Sequence, residues 1–286
     1  MTATLPPWIV LDPHLIQWLQ EDIGRGDRST QGLPNIDRVA TAIWIAKEAG
    51  IVAALPVAKR VFELLNPQAK FQPVAAEGSP CVPGQPIAEI AADLATLLMG
   101  ERTALNLAMR LSGISTATRK YVDCIADLPT QLVDTRKTTP GLRSLEKYAT
   151  TVGGGANHRV GLDDAVMLKD NHIAAAGGIT AAIAGIRQHI PYPLTIEVET
   201  ESLAQVKEAI DCHIDIIMLD NMSPDLMRQA VAMIRKANPR IKIEASGNIT
   251  LTTIRQVAET GVDYISTSAP MTRSPWLDLS MRIDTK

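Results

Sequence analysis

Basic side chains concentrate in one stretch of the chain, residues 131–173. Arginine presents a rigid fork of donors that fits a carboxylate or a phosphate at two points, and lysine adds a compact charge. Several cations in one place therefore favour an anionic ligand that carries more than one acidic group. The basic residues of this stretch, with its two histidines, are Arg136, Lys137, Arg143, Lys147, His158, Arg159, Lys169 and His172.

Short apolar segments at residues 132–133 and 165–168 indicate where these cations lie. A buried strand cannot keep an unpaired cation in its core, so Arg136, Lys137 and Lys169 are expected at strand ends. A single Arg or Lys is most often a solvated surface residue. Here, however, the cations alternate with threonines, glycines and histidines, and lack the glutamate partners typical of a solvated helix face.

The rest of the composition is that of an ordinary globular chain. The 286 residues are 46% hydrophobic with a formal net charge of -3, so no general nucleic-acid surface is expected. The 3 cysteines lie far apart without CxxC spacing, which favours a reducing compartment and neither a disulfide framework nor a zinc site. No apolar run reaches membrane-spanning length and residues 1–10 do not resemble a signal peptide, so we expect a cytoplasmic protein without membrane partners.

The first 110 residues or so predict an α+β unit, a sheet with helices on one face. Helices are predicted at residues 12–22, capped by Asp12, at 56–65, and at 92–111, capped by Asp93. Gly113 is expected to end the last of these, with a further helix to about residue 125. Strands are predicted at residues 39–47, 50–53, 71–76 and 86–91.

From residue 132 onward, apolar strands alternate regularly with helices, which predicts parallel strands joined by helical crossovers. In a parallel barrel the carboxyl ends of the strands form the binding site. The predicted strands are residues 132–134, 165–168, 194–198, 214–219, 241–245 and 262–266. The predicted helices are residues 142–151, 179–189, 203–209, 224–237 and 251–260.

Polar residues follow each of these strands. Acids and cations on one rim predict a doubly anionic substrate together with a magnesium-bound phosphate. Either Mg2+ or ribose hydroxyls fit Glu199 and Asp220, and the sequence leaves both roles open. Residues 246–248 precede a predicted helix start near Thr250, where backbone amides hold phosphate. Asn221 and Asn248 are, taken alone, most typical of plain strand-end turns.

Short motifs occur along nearly the whole chain. They are ERTALN at 101–106, LSGIST at 111–116, DTRKTTPGLR at 134–143, GGGANHRVGLDD at 153–164, MLKDNHI at 167–173, IEVE at 196–199, MLDNM at 218–222 and EASGNI at 244–249. In combination and in order these motifs are specific, and they resemble the quinolinate phosphoribosyltransferase family. The resemblance implies an incomplete parallel α/β barrel, residues 113–269, preceded by a smaller α+β sandwich domain, residues 1–112. The segment 270–286 is implied to rejoin the sandwich, with residues 276–283 as a strand or a helix.

The implied reaction joins quinolinate to phosphoribosyl pyrophosphate with magnesium, and gives nicotinate mononucleotide, pyrophosphate and carbon dioxide on the route to NAD. The implied assembly is a homodimer or a dimer-based hexamer. By resemblance, Arg136, Arg159 and Lys169 bind the quinolinate carboxylates, and His158 and His172 line the pocket. Arg102 resembles the arginine that a neighbouring subunit contributes to that pocket.

The phosphoribosyl pyrophosphate and magnesium side of the implied site contains Lys137, Glu199, Asp220, Ser246, Gly247 and Asn248. Lys137, Lys169, Glu199 and Asp220 are the implied catalytic residues. Other implied substrate contacts are Thr135, Thr267, Ser268 and Ala269. The family often has glycine at the position of Ser268, which puts the phosphate contact there in doubt.

Other functions fit the same rim. A phosphoribosyltransferase that acts on nicotinate needs fewer cations, and activity on quinolinate distinguishes it. A Schiff-base aldolase that uses Lys169 would be trapped by borohydride with a carbonyl substrate. A non-catalytic relative would bind anions without releasing pyrophosphate.

Overall fold

The computed structural model describes residues 3–284, which fall into two compact units. The first contains the residues up to Arg119, the segment Thr139–Gly154 and the residues from Arg273 onward. The second contains Lys120–Thr138 and Gly155–Thr272. The division predicted between residues 112 and 113 follows the chain linearly, whereas in space the chain crosses between the units several times.

The first unit is built on an antiparallel sheet. Its elements in chain order are α1 (Trp8–Ile23), a short 3-10 helix (Thr30–Gly32), β1 (Val39–Ala46), β2 (Gly50–Ile51), α2 (Leu55–Leu65), β3 (Lys70–Pro73), β4 (Pro80–Cys81), β5 (Pro86–Asp93), most of α3 (Leu94–Asp123), α4 (Arg143–Val152) and β12 (Leu279–Asp284). Within residues 3–284 the order of the sheet is β12-β1-β5-β3, and β2 pairs with β4 separately. The C-terminal strand thus lies at the edge of this sheet, where the sequence predicted a returning segment.

Alternating side chains along β1 form the core of the first unit. Ala42, Trp44 and Ala46 are 0% exposed. The indole of Trp44 meets the rings of Phe62 on α2 and Phe71 on β3 edge-on, with ring centroids 6.5 and 5.7 Å apart. Edge-on aromatic pairs of this kind are favourable, so they fix α2 against one face of the sheet.

The predicted start of the first helix is wrong. α1 begins at Trp8 and contains Pro13, instead of beginning at Asp12. The Asp12 carboxylate does not cap the helix because it pairs with Arg60 of α2, whose Nε and Nη2 donate to it at 2.9 and 2.6 Å. Asp12, which has a plausible cap position in the sequence, therefore forms an ion pair with another helix instead.

The predicted helix end at Gly113 is also wrong, since α3 continues through Gly113 to Asp123. The predicted cap is confirmed, because Asp93 Oδ1 accepts a hydrogen bond from the Thr96 amide at 2.8 Å. A Cβ atom on Gly113 would lie 2.1 Å from the carbonyl oxygen of Pro275. Glycine is thus required for close backbone approach and does not end the helix.

The second unit is built on a parallel sheet. Its elements are β6 (Gln131–Val133), β7 (Val166–Leu168), α5 (Asp170–Ala176), α6 (Ile179–Arg187), β8 (Ile196–Thr200), α7 (Leu203–Asp211), β9 (Ile216–Asp220), α8 (Pro224–Ala237), β10 (Lys242–Ser246), α9 (Ile254–Ala258), β11 (Tyr264–Ser266) and α10 (Ala269–Thr272). Within residues 3–284 the order is β6-β11-β10-β9-β8-β7, open between β6 and β7. The predicted incomplete parallel α/β barrel is confirmed.

Pairing in this sheet continues past the last apolar side chain of the central strands. Glu199 pairs with Met218, and Ser246 pairs with Asp220. The predicted strands therefore ended too early, because backbone hydrogen bonds do not depend on side-chain polarity. As a result the acids at the strand ends stand on ordered backbone instead of on loops.

The centre of the parallel sheet is buried on both faces. On β9 the consecutive residues Ile217, Met218 and Leu219 are 0%, 4% and 0% exposed. Burial on both faces is typical of parallel strands covered by helices. None of the helices between residues 3 and 284 is long and apolar enough to cross a membrane.

The close approach at Gly113 predicts opposite effects for two glycine substitutions inside helices. Gly113→Ala should lower the free energy of unfolding by about 1–3 kcal/mol, because the new methyl group meets backbone that cannot rotate away. Gly185 in α6 is the matched control, since no described atom lies within 4 Å of its Cβ position. Gly185→Ala should raise the free energy of unfolding by about 0.4–1 kcal/mol. Urea unfolding measures both, and stabilisation by both substitutions would contradict the close approach.

Candidate functional site

One cavity of about 540 Å³ opens among the carboxyl ends of the parallel strands. Most of the predicted site residues line it, which places them within reach of one ligand. These residues are Thr135, Arg136, Lys137, His158, Arg159, Lys169, Glu199, Asp220, Ser246, Gly247, Asn248, Thr267 and Ser268.

Three predicted residues lie elsewhere. Arg102 is exposed on α3 in the first unit. His172 is exposed on α5, where its Nδ1 accepts a hydrogen bond from the Lys169 amide at 3.0 Å. Ala269 begins α10, one residue beyond Ser268 of the cavity wall. The His172 ring therefore binds the start of its own helix.

The loop after β6 carries two cations on a tight turn. The Lys137 amide donates to Thr135 Oγ1 at 3.0 Å, and the Thr138 amide donates to the carbonyl oxygen of Arg136 at 3.0 Å. A side-chain oxygen that accepts from the amide two residues later is a common way to close such a turn. The turn keeps Arg136 and Lys137 next to the strand end.

Arg159 lies close to Arg136 at the same wall of the cavity. Burial of the Arg159 guanidinium, followed by repulsion from Arg136, lowers its pKa, although Glu197 and Asp164 oppose the shift. Arg159 Nη1 donates to the carbonyl oxygen of Ala165 at 3.0 Å, which fixes its direction. Two guanidinium groups that repel each other are well suited to an anion that bridges them.

His158 lies between buried carboxylates from the two strands that flank β9. Its Nε2 is 3.1 Å from Glu197 Oε2 on β8 and 3.3 Å from Glu244 Oε2 on β10. Glu197 and Glu244 are 2% and 3% exposed. The backbone amide of His158 also donates to Asp134 Oδ1 at 2.8 Å. Carboxylates therefore hold both the ring and the backbone of this residue.

This cluster retains more protons at neutral pH than its groups would in water. Burial opposes charging of the His158 ring, but hydrogen bonds to Glu197 and Glu244 and their negative charge outweigh it and raise the pKa to about 10. Burial is the main cause that raises the pKa of Glu197, against the opposing bond from His158. Both shifts stabilise the fold below the unfolded pKa values, and this stabilisation is lost as the pH rises through the folded values.

One contact indicates the tautomer of the neutral His158 ring. The Arg159 amide donates to His158 Nδ1 at 2.7 Å, which requires a lone pair on that nitrogen. In the neutral ring the proton is therefore on Nε2, the nitrogen that faces the two carboxylates.

The ligand atoms of His158, Glu197 and Glu244 all lie within 4.8 Å of one another, a grouping that could also hold a metal ion. The distances from Nε2 to the two carboxylates, 3.1 and 3.3 Å, are hydrogen-bond lengths. We assign the group as a hydrogen-bonded cluster beside the cavity.

An ion pair joins the ends of two neighbouring strands. Lys169 Nζ, just after β7, lies 2.7 Å from Glu199 Oε2 on β8. The Glu199 side chain is 11% exposed, whereas the Lys169 side chain is 46% exposed. The carboxylate is therefore fixed in the wall, and the ammonium reaches toward solvent and incoming ligand.

The expected helix start at Thr250 is wrong, because α9 begins at Ile254. Thr250 and Thr253 instead close a turn, with the Thr250 amide donating to Thr253 Oγ1 at 2.9 Å. Gly247 has a φ of 95° and Asn248 a φ of 52°, so this segment is a left-handed turn. The amides after β10 therefore belong to this turn and not to a helix start.

Four lining or supporting residues were missed in the sequence or taken as ordinary turns: Asp134, Glu197, Asn221 and Glu244. A signal was present for two of them. Glu197 and Glu244 interrupt the apolar strands IEVET and KIEAS at buried positions, where an acid needs a partner. Asn221 resembled a turn residue, and its backbone does adopt the left-handed φ of 52°.

The fold and the cavity define an α/β protein with a cation-lined cavity at the carboxyl edge of a parallel sheet, the position where enzymes of this architecture have their sites. The C-terminal domain of quinolinate phosphoribosyl transferase matches residues 114–282, and the N-terminal domain matches residues 27–112. The chain therefore belongs to the quinolinate phosphoribosyltransferase family.

Individual relatives cover the chain almost completely. A probable nicotinate-nucleotide pyrophosphorylase [carboxylating] of Synechocystis sp. is 61% identical over 98% of this chain and 94% of its own length. A protein of the same description from Bacillus subtilis is 45% identical over 92% of this chain and 90% of its own. The solved nicotinate-nucleotide pyrophosphorylase from Francisella tularensis is 34% identical, with a TM-score of 0.93 over 99% of each chain.

The carboxylate cluster predicts a destabilisation that depends on pH. His158→Ala leaves Glu197 and Glu244 buried without their shared donor, which should lower the free energy of unfolding by about 3–5 kcal/mol at pH 8. At pH 5 the loss should be smaller, because Glu197, whose pKa burial raises, can take up a proton. Chemical unfolding at both pH values measures this, with the exposed His189→Ala as the control. An equal loss at both pH values would mean that the cluster does not hold the charge assigned to it.

Proposed function

We propose that this chain joins quinolinate to phosphoribosyl pyrophosphate, with release of pyrophosphate and carbon dioxide, and forms nicotinate mononucleotide for NAD biosynthesis. The observation that supports the proposal most is that arginines, lysines and acids together line one cavity in a chain of this family. The residues concerned are Arg136, Lys137, Arg159, Lys169, Glu199 and Asp220.

Quinolinate carries two adjacent carboxylates, and the proposed binding site matches that charge. Burial first, and then the charge of Arg136, lower the pKa of Arg159, and a dianion between the two arginines would remove their mutual repulsion. Lys169 supplies a further charge from β7, and the His158 ring forms the adjoining wall. A monocarboxylate would leave part of this charge unmatched.

The phosphoribosyl side is proposed to lie over β8, β9 and β10. Glu199 and Asp220 are hard oxygen donors at the ends of neighbouring strands, a donor set that fits Mg2+ together with substrate phosphate. Bound there, Mg2+ would neutralise charge on the departing pyrophosphate. Lys137 and the left-handed turn of Ser246, Gly247 and Asn248 are proposed to hold the phosphate groups.

The chemistry requires charge stabilisation and positioning, without a covalent intermediate on the protein. The bond between the anomeric carbon and the pyrophosphate oxygen breaks with its electron pair on that oxygen, and fixed cations stabilise the leaving group. The pyridine nitrogen then gives its lone pair to the anomeric carbon, a step that depends on alignment. Carbon dioxide then leaves the ring carbon next to the positive nitrogen. The electron pair of the broken bond stays on that carbon, where the neighbouring positive charge stabilises it until a proton bonds there.

The Schiff-base alternative is disfavoured by the geometry around Lys169. Its Nζ lies 2.7 Å from Glu199 Oε2, so this atom is engaged in an ion pair with the cavity wall instead of being free to attack a carbonyl. We further propose a cytoplasmic location, where the free cysteines Cys81, Cys124 and Cys212 would stay reduced.

Pyrophosphate release tests the proposed function. Purified protein with Mg2+, phosphoribosyl pyrophosphate and quinolinate should release pyrophosphate and carbon dioxide in equal amounts, and nicotinate in place of quinolinate should give little of either. Preference for nicotinate would assign the neighbouring activity. Anion binding without pyrophosphate release would show a non-catalytic relative.

The arginine pair predicts a selective loss of quinolinate binding. Arg136→Ala and Arg159→Ala should each weaken quinolinate binding by about 1.5–3 kcal/mol, which is the usual contribution of a hydrogen bond to a charged group. Arg228→Ala on α8 is the matched control, because Arg228 pairs with Asp225 three residues before it on the same helix and does not line the cavity. Calorimetric titration measures all three, and unchanged affinity in both pocket variants would remove the pair from the site.

Arg102 tests assembly and mechanism together. We propose that it enters the pocket of a neighbouring subunit, and a symmetric dimer would make this exchange reciprocal. Arg102→Ala and Arg159→Ala chains should each be nearly inactive alone. Mixed under subunit exchange, they should form dimers with one intact pocket, so about a quarter of all pockets should work. No recovery, with exchange shown independently, would place Arg102 in its own subunit or outside the site.

A further inference from the structure

The ends of β9 and β10 carry an interlocked pair of turns beside the cavity. Asp220 and Ser246 are paired in register, and the Asn221 amide extends the pairing by donating to the carbonyl oxygen of Ser246 at 3.0 Å. Asn221 and Asn248 both have a φ of 52°, and Gly247 has a φ of 95°. Left-handed backbone at ordinary residues is uncommon, and Asn is among the few that tolerate it.

Side-chain amides connect these turns to Asp220. Asn221 Nδ2 donates to Asp220 Oδ2 at 2.6 Å, and Asn248 Nδ2 donates to Asn221 Oδ1 at 3.2 Å. An ionised carboxylate only accepts hydrogen bonds, so the NH2 group of Asn221 must face Asp220 and its oxygen must face Asn248. The direction of every bond in this series is therefore determined by the acid at its end.

Gly247 completes the arrangement. A Cβ atom at this position would lie 2.2 Å from Asn221 Oδ1 and 2.9 Å from the Asn221 nitrogen. The glycine is therefore required twice, by its own backbone conformation and by the space that the Asn221 side chain occupies. Because the Asn221 amide lies beside Asp220, the turn has room only for glycine at position 247.

We propose that Asn221 is a positioning residue that holds the Asp220 carboxylate in one orientation, and that Asn248 orients Asn221 in turn. A carboxylate bound through Oδ2 cannot rotate freely, so Oδ1 is presented in a single direction. Residues that orient metal-binding groups in this way often affect metal affinity by about 10-fold to 100-fold when they are changed. The proposal rests on the proposed role of Asp220 in binding a divalent cation with phosphoribosyl pyrophosphate.

Asn221→Gly is the test variant, because glycine keeps the left-handed backbone and removes only the amide. Mn2+ binding in the presence of phosphoribosyl pyrophosphate, followed by electron paramagnetic resonance, should weaken about 10-fold or more. Quinolinate affinity should stay unchanged. Asn221→Asp, which keeps the side-chain size but cannot donate to Asp220, should weaken Mn2+ binding at least as much.

A double-mutant cycle with Asp220→Asn distinguishes positioning from a general structural role. If Asn221 acts through Asp220, Asn221→Gly should have no further effect on Mn2+ binding in the Asp220→Asn background. Wild-type Mn2+ affinity in Asn221→Gly, or an equal effect in both backgrounds, would overturn the proposal. Pyrophosphate release by the wild-type protein tests the function separately. Release without any Mn2+ binding would overturn the positioning role alone. Mn2+ binding that responds to Asn221, without pyrophosphate release, would overturn the proposed function alone.

Discussion

Burial of two carboxylates within the parallel sheet, on β8 and β10, is the constraint on which the candidate site depends. Glu197 and Glu244 are both almost fully buried, and an unpaired charge in that position would be very costly. His158 contacts one oxygen of each carboxylate through a single nitrogen atom, and among the described residues the second oxygen of each is buried without a hydrogen-bond partner. Arg159 follows His158 directly in the chain. The contacts between His158 and the two acids therefore also fix where the backbone of Arg159 lies, and its side chain lines the cavity.

The anchoring extends from this contact around the rim. Asp134 accepts from the His158 amide, and the Asp134 amide donates to the carbonyl oxygen of Ala156 at 3.1 Å. The segment before Arg159 is thereby attached to the end of β6, which leads into the turn of Arg136 and Lys137. The two arginines come from segments more than twenty residues apart, yet buried acids hold both supports in place.

Much of this arrangement could be predicted from periodicity and charge, and some of it could not. Alternating apolar strands and helices predicted the parallel sheet, and cations after the strands predicted an anion site at its carboxyl edge. Local patterns failed where a distant segment decided the outcome. Asp12 had the position of a cap but pairs with Arg60, and Gly113 had the position of a helix end but makes room for Pro275.

Ser268 is another position that the sequence alone could not interpret. A serine where glycine is frequent raises doubt only if the backbone there needs glycine. Among the described residues, the non-glycine positions with positive φ are Asn35, Ala54, His213, Asn221 and Asn248, so Ser268 has a backbone that any residue can adopt. It lies at the start of α10, and its carbonyl oxygen accepts from the Thr272 amide at 2.9 Å. The substitution is therefore compatible with the local fold.

Charge balance at the rim also bears on release of the product in the proposed reaction. Arg136 and Arg159 repel each other until an anion lies between them, so the dianion quinolinate removes more of this repulsion than a monocarboxylate does. The proposed chemistry converts one carboxylate into carbon dioxide and separates pyrophosphate from the ribose. Loss of carbon dioxide removes one negative charge from the arginines that bound the dianion. Cleavage of the bond to the anomeric carbon leaves its electron pair on pyrophosphate, which becomes a separate anion. The nucleotide product therefore presents less negative charge to the rim than the two substrates did together.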